Sequence, residues 1–211
     1  MTVLVPRHPG GAADLAKFAT RVARYEAEAV VRIVADGRVA GCFAETPFDA
    51  LALRALELAE PVSMDLVFEA GTLAARAVGD RGELELPPPV PALRWTSSLP
   101  PRTGWTVLAA LRGAGVEKRV RAGVEEFRQR APSVTDGLAL REGRVALEKL
   151  ADEIWDRELA AGVPLRLAHA ADSYGFLGGG EVTLRSVGMW WRLDARFGSV
   201  MARSGLALFA L

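Results

Sequence analysis

The chain has 211 residues, of which 26 are basic and 26 acidic; half are apolar and a quarter are charged. That balance excludes a disordered, solvating polypeptide and a polycationic nucleic-acid binder, and the longest apolar runs fall short of the roughly 18–20 residues that span a bilayer. One cysteine, Cys42, precludes an internal disulfide, and two scattered histidines, His8 and His169, cannot supply the ligand set of about three or four that a zinc site needs.

The N-terminal part reads as mixed α and β. Residues 29–35 and 39–44 are apolar runs separated by Asp36-Gly37, the dipeptide of a tight hairpin. Thr46-Pro47-Phe48-Asp49 carries a cap, a first-turn proline and an early acid, which predicts a helix from there to about Ala59, stopped by Glu60-Pro61. Met64, Leu66 and Phe68 then alternate with more polar neighbours, as in a half-buried strand. Residues 73–78 predict a short helix, and 83–86 a second strand after Asp80-Arg81-Gly82.

Six of the twelve prolines fall within residues 86–102, which predicts a stiff linker that packs through Trp95 and Trp105. This sets three expected parts: a lobe over 1–86, a proline-rich linker over 87–102 and a second lobe over 103–211. Val116, Val120, Val124 and Phe127 predict a helix near 115–130, ended by Ala131-Pro132. A second helix is expected over about 138–160 and a third over 164–174, with Gly175 beyond its end. After Gly178-Gly179-Gly180, residues 181–187, 189–195 and 198–203 read as three short strands. The expected fold class is α+β: a mixed or antiparallel N-terminal sheet with helices, then C-terminal helices followed by a three-stranded β-meander.

Candidate chemistry is sparse. His169 and Asp172 stand three apart on the third helix, the spacing of a weak candidate catalytic pair, but no nucleophile in a known setting joins them. Glu148, Asp152 and Asp156 line one helix face and read as a solvated face, not a metal site. The triple glycine runs from a helix into a strand, the reverse of a phosphate loop, so it reads as a connection. No cofactor and no metal are expected. In the strand at 189–195, Met189, Trp191 and Leu193 share a face expected to be core, which leaves Trp190 beside Arg192 and Asp194. Trp190 and Arg192 are therefore candidate contact residues, with Trp105 and Trp155 as further binding candidates. The apolar tail, residues 205–211, is expected to dock in the core or to join an interface. Lys118, Arg119, Arg121, Arg128 and Arg130 cluster on the first C-terminal helix, and three helices before a meander resemble a winged helix in order. Glu117, Glu125 and Glu126 dilute that charge, so nucleic acid is disfavoured.

Pro100-Pro101-Arg102-Thr103-Gly104-Trp105, Ile154-Trp155-Asp156-Arg157, Gly162-Val163-Pro164 and Gly188-Met189-Trp190-Trp191-Arg192-Leu193 together resemble an uncharacterised actinobacterial protein family with no assigned function. The resemblance covers mainly the C-terminal half and implies a cytoplasmic bacterial protein. It brings no site residues.

The expected function is a non-enzymatic protein-interaction or self-associating module in the cytoplasm, with a homo-oligomer or a protein as partner and no membrane. Whether it is an enzyme stays open. The alternatives are a small-molecule binder or enzyme with a site between the lobes, near Trp105, Trp155, His169 and Asp172, and a DNA-binding protein. Residues 1–90 carry 9 basic and 13 acidic groups, and residues 91–211 carry 17 and 13, so overall neutrality is a cancellation of −4 against +4.

Overall fold

The computed structural model describes residues 2–76 and 82–204. Among the described residues, five α-helices and antiparallel strand pairs place the chain in the α+β class. It divides into two compact units, Met1–Pro101 and Arg102–Leu211. The expected turn at 80–82 and the apolar tail at 205–211 fall wholly or largely outside the described residues.

The first unit is built on β2 (Val30–Glu45) and β3 (Leu51–Glu69), paired antiparallel with Val31 opposite Phe68 and Ala44 opposite Ala52. The expected hairpin at Asp36-Gly37 does not form. Both apolar runs belong to one strand, and Gly37, at φ +83°, takes up a bulge where the register shifts. The left-handed conformation that suits a turn also suits a bulge, and the long partner β3 decides between them.

The helix expected from Thr46 to Ala59 is likewise replaced by strand. The capping signal is used only locally: Thr46 Oγ1 accepts the Phe48 N–H at 3.2 Å, and the Thr46 N–H donates to the Ala50 carbonyl at 3.0 Å. This closes the β2–β3 hairpin, after which pairing overrides the helix propensity of the Leu/Ala-rich run. Pro61 is tolerated because Val39 pairs with Glu57 and Gly37 with Val62, which leaves 58–61 off the β2 ladder. The Ala59 N–H donates instead to Val5, next to β1 (Val3–Leu4).

α1 (Gly11–Tyr25), for which sequence reading supplied no element, buries Leu15, Phe18, Ala19 and Val22 at spacings of three and four. It packs on α2 (Ala70–Ala75), and β4 (Leu84–Glu85) pairs with β1. The proline-rich run then follows this unit. Val90 bonds Val67, residues 92–94 make a 3-10 turn, and Trp95 is buried. Glu45 accepts bonds from Thr96 Oγ1 at 2.9 Å and from the Ser97 N–H at 2.8 Å.

The second unit opens with a strand the sequence did not suggest, β5 (Thr106–Arg112). α3 (Gly113–Thr135) follows and passes through Pro132 instead of ending before it. Pro132 sits in the last turn, where a missing N–H leaves only one carbonyl short of a bond, and Thr135 Oγ1 donates back to Ala131 at 3.0 Å. α4 (Leu140–Trp155) stops earlier than expected. A hairpin of β6 (Glu158–Ala160) and β7 (Val163–Pro164) replaces its last turn, with Ala161 and Gly162 at positive φ. α5 (Leu165–Ser173) and the meander β8 (Glu181–Val187), β9 (Trp190–Ala195) and β10 (Gly198–Arg203) fall where the sequence places them. In this unit the strands run β10-β9-β8-β5, all antiparallel. Leu184, Leu193 and Val200 are fully buried on the side where α3 and α5 pack.

Candidate functional site

Strand register assembles one face of β8, β9 and β10, half-buried at Trp190, Arg192 and Asp194. Trp190 lies opposite both Arg203 and Val187, Arg192 opposite Met201 and Arg185, and Asp194 opposite Ser199 and Thr183. Cross-strand partners share a face, so these side chains form one patch. Asp194 organises it, accepting from Arg185 Nε at 2.9 Å, Arg192 Nε at 2.6 Å and Ser199 Oγ at 2.6 Å. The Arg192 guanidinium stands 5.6 Å over the Trp105 ring, and that of Arg203 stands 5.3 Å over Trp190. Trp190, Arg192 and Trp105 thus meet on one face. Trp191 is half-buried on the other, with Leu193, while Met189 lies before the strand and is 48% exposed, not core.

β5 forms the margin of this sheet. β8 pairs with one side of it, and no strand among the described residues pairs with the other. Val107 and Leu108 are exposed there, and the strand carries no charge until Arg112. An uncharged open edge invites another strand.

Trp155 and His169 lie elsewhere in the unit, among the helices. α3 passes close to α4 at Gly123, where a Cβ would stand 2.8 Å from Trp155 Cζ3. Trp155 stacks on His169, and burial holds the His169 pKa down at about 4. Asp172 is pushed up by burial and by Glu117, against the pull of Arg121. Both shifts favour neutral forms, the reverse of what a carboxylate–imidazolium pair produces. A cleft of about 410 Å³ lies at the Trp155–His169 stack, and neither Asp172 nor Trp105 lines it. Trp105, Trp155, His169 and Asp172 all belong to the second unit.

The charged runs are largely consumed by the fold. Arg166 reaches both Asp152 and Asp156 at 2.8 Å. Arg119 donates to the Glu158 and Leu159 carbonyls, and Arg121 faces Glu117 at 3.8 Å. Arg130 and Arg157 form a ring with Glu126 and Glu153, and the bonds from Arg157 and Arg130 hold the Glu126 carboxyl at about 2. The Gly179 N–H donates to the Glu117 carboxylate at 2.9 Å, so an acid occupies the place a phosphate would need. Among the described residues no group of three His, Cys, Asp or Glu side chains could hold a metal ion, and no helix is long and apolar enough to cross a membrane.

Sequence reasoning did not anticipate the open edge of β5 or the placing of Phe127 and Arg128 in a cleft. Alternation is weak in Thr106–Arg112, and Phe127 follows the helical core period, so neither carried a distinct signal.

Solved structures share this fold at low identity. The DNA polymerase III beta subunit of Thermotoga maritima matches with a TM-score of 0.53 at 11% identity, over 96% of this chain and 64% of that one. The DNA polymerase III beta subunit of Pseudomonas aeruginosa gives 0.52 at 11%, over 96% and 64%. The DNA polymerase sliding clamp of Caulobacter crescentus gives 0.51 at 13%, over 96% and 65%. The chain therefore spans less than two thirds of each of these proteins, and the likeness is one of fold. No curated protein matches the chain. Residues 1–97 match the family described as Domain of unknown function (DUF8010). Residues 100–207, about half of the sequence, match a second family model, and the chain belongs to that family, described as Domain of unknown function (DUF8185).

Proposed function

We propose that this chain is a non-enzymatic, cytoplasmic interaction module that associates with further copies of itself, with the open edge of β5 as its main contact. The observation that carries the reading is an uncharged strand edge, with Val107 and Leu108 exposed, beside the Trp105–Arg192 pair. Main-chain pairing along such an edge supplies affinity, and tryptophan and arginine beside it are the side chains most often dominant in contacts. Trp190 under Arg203 extends the same face.

The charge asymmetry gives the direction. The N-terminal part carries −4 and the C-terminal part +4, so unlike parts of two copies attract and like parts repel. The association is thus head to tail. Sedimentation velocity tests it: a concentration-dependent oligomer is expected at low salt, weaker at high salt. Leu108→Lys and Trp190→Ala are each expected to shift it toward monomer while circular dichroism stays unchanged. A monomer at every concentration overturns the reading.

DNA association is the second reading, supported by a fold shared with DNA polymerase sliding clamps. The bases of α3 weigh against it, since Arg119, Arg121 and Arg130 are engaged within the protein. Steeply salt-dependent retention on DNA, with no self-association, favours this second reading over the first.

A further inference from the structure

The cleft among α3, α4 and α5 has no part in the self-association proposed above. Val124 and Phe127 of α3, Ala151 and Trp155 of α4 and His169 of α5 line an open cleft of about 410 Å³, within the range of roughly 300–1,000 Å³ typical of small-ligand pockets. Its lining is aromatic and aliphatic apart from His169 and one cation, Arg128. The Arg128 side chain is exposed and makes no ion pair or hydrogen bond among the described residues, unlike Arg119, Arg121 and Arg130 on the same helix. His169, stacked on Trp155 and held at about 4 by burial, is uncharged near neutral pH. Among the described residues, Arg128 is then the one charged residue that lines the cleft.

An aromatic wall beside an exposed, unpaired arginine side chain suits a flat apolar body bearing one anion. The ring gains from leaving water against Trp155 and Phe127, and a carboxylate matches the planar fork of arginine. We propose that this cleft binds a small aromatic carboxylate, its ring against Trp155 and Phe127 and its carboxylate on Arg128.

Isothermal titration calorimetry of the full chain with 2-naphthoate tests this, with 2-naphthamide as the uncharged isostere. The carboxylate is expected to bind at a one-to-one ratio. The amide, and 2-naphthoate with the Arg128→Gln variant, are each expected to bind roughly ten- to a hundredfold more weakly. Ala151→Trp is expected to fill the cleft and abolish binding. Arg128 lies on an exposed helix surface, so its variant keeps the fold, and circular dichroism verifies that. No binding of 2-naphthoate, or equal binding to the Arg128→Gln variant, overturns the proposal. The readout does not depend on oligomeric state, so it can fail while self-association stands, and the reverse.

Discussion

The Trp155 indole lies flat on the His169 imidazole, ring centroids 3.8 Å apart and planes within 2° of parallel. The stack joins the end of α4 to α5 and keeps the imidazole in apolar surroundings, where its neutral form is favoured.

That preference sets a pH dependence. Unfolded, the imidazole has its ordinary value near 6.5; folded, it sits at about 4. Between those values the unfolded chain binds more protons, so stability rises with pH and is lost as pH falls from 6.5 through 4. With a discount for partial exposure, the loss is about 2 kcal/mol. Asp172, raised by burial, acts in the opposite direction and trims the slope. Urea midpoints at pH 4.5 and 7.5 should differ less in His169→Phe than in the wild type. An unchanged difference would show that His169 is not the source.

Two glycines of α3 should respond oppositely to the same change. At Gly123 a Cβ would meet Trp155 at 2.8 Å, whereas at Gly115 nothing lies within 4 Å. Gly115→Ala is expected to stabilise by up to about 1 kcal/mol through helix propensity. Gly123→Ala is expected to destabilise by about 1–2 kcal/mol despite the same propensity gain, because Trp155 must move. Chemical denaturation of both variants decides it, and equal shifts would mean that α3 and Trp155 do not meet as described.

Glu45 should control the segment around Trp95. Burial would raise its pKa, but bonds from Ser97 and Thr96 outweigh burial and hold it below the ordinary carboxylate range. Glu45→Ala is expected to cost about 1–3 kcal/mol, with Glu45→Gln retaining part of that. Limited proteolysis reads the local effect: cleavage near residues 98–102 should quicken in Glu45→Ala. Cleavage at the wild-type rate would count against the tie.

Cys42 should be silent. Its thiol is fully buried in β2, and burial pushes its pKa up to about 12 against a weaker pull from Arg54. A thiolate is the reactive species, so a disulfide-exchange reagent should label it only as fast as the first unit opens. Labelling should accelerate with added urea in step with unfolding, and rapid labelling in native buffer would contradict this placement.

What the sequence revealed depended on the range of the forces. Strand parity alone put Trp190 and Arg192 on one face, because alternation is local. Their stacking partners, Arg203 of β10 and Trp105 just before β5, are distant in the chain and needed the pairing register. The same limit explains the errors in the first unit. Asp36-Gly37 and Thr46-Pro47 gave true local signals, for a positive φ and a tight turn. Whether each signal served a hairpin, a bulge or a helix was settled by β3, of which local alternation showed only the stretch around Met64, Leu66 and Phe68. Pro132 erred in the other direction, since a proline in a last turn disrupts little. His169 and Asp172 share a helix as their spacing requires, but their protonation preferences come from α3 and α4 packing around them.

The tie from Glu45 to Thr96 and Ser97 also has a consequence in time. The first unit is one contiguous stretch of chain, Met1–Pro101. As the chain leaves the ribosome, β2 and β3 can zip outward from the 46–50 turn as soon as both have emerged, and β4 can then close on β1. Glu45 must wait for a serine 52 positions downstream. That bond becomes available only after both strands of the hairpin have emerged, so the strap through Trp95 closes on a β-hairpin that can already be formed.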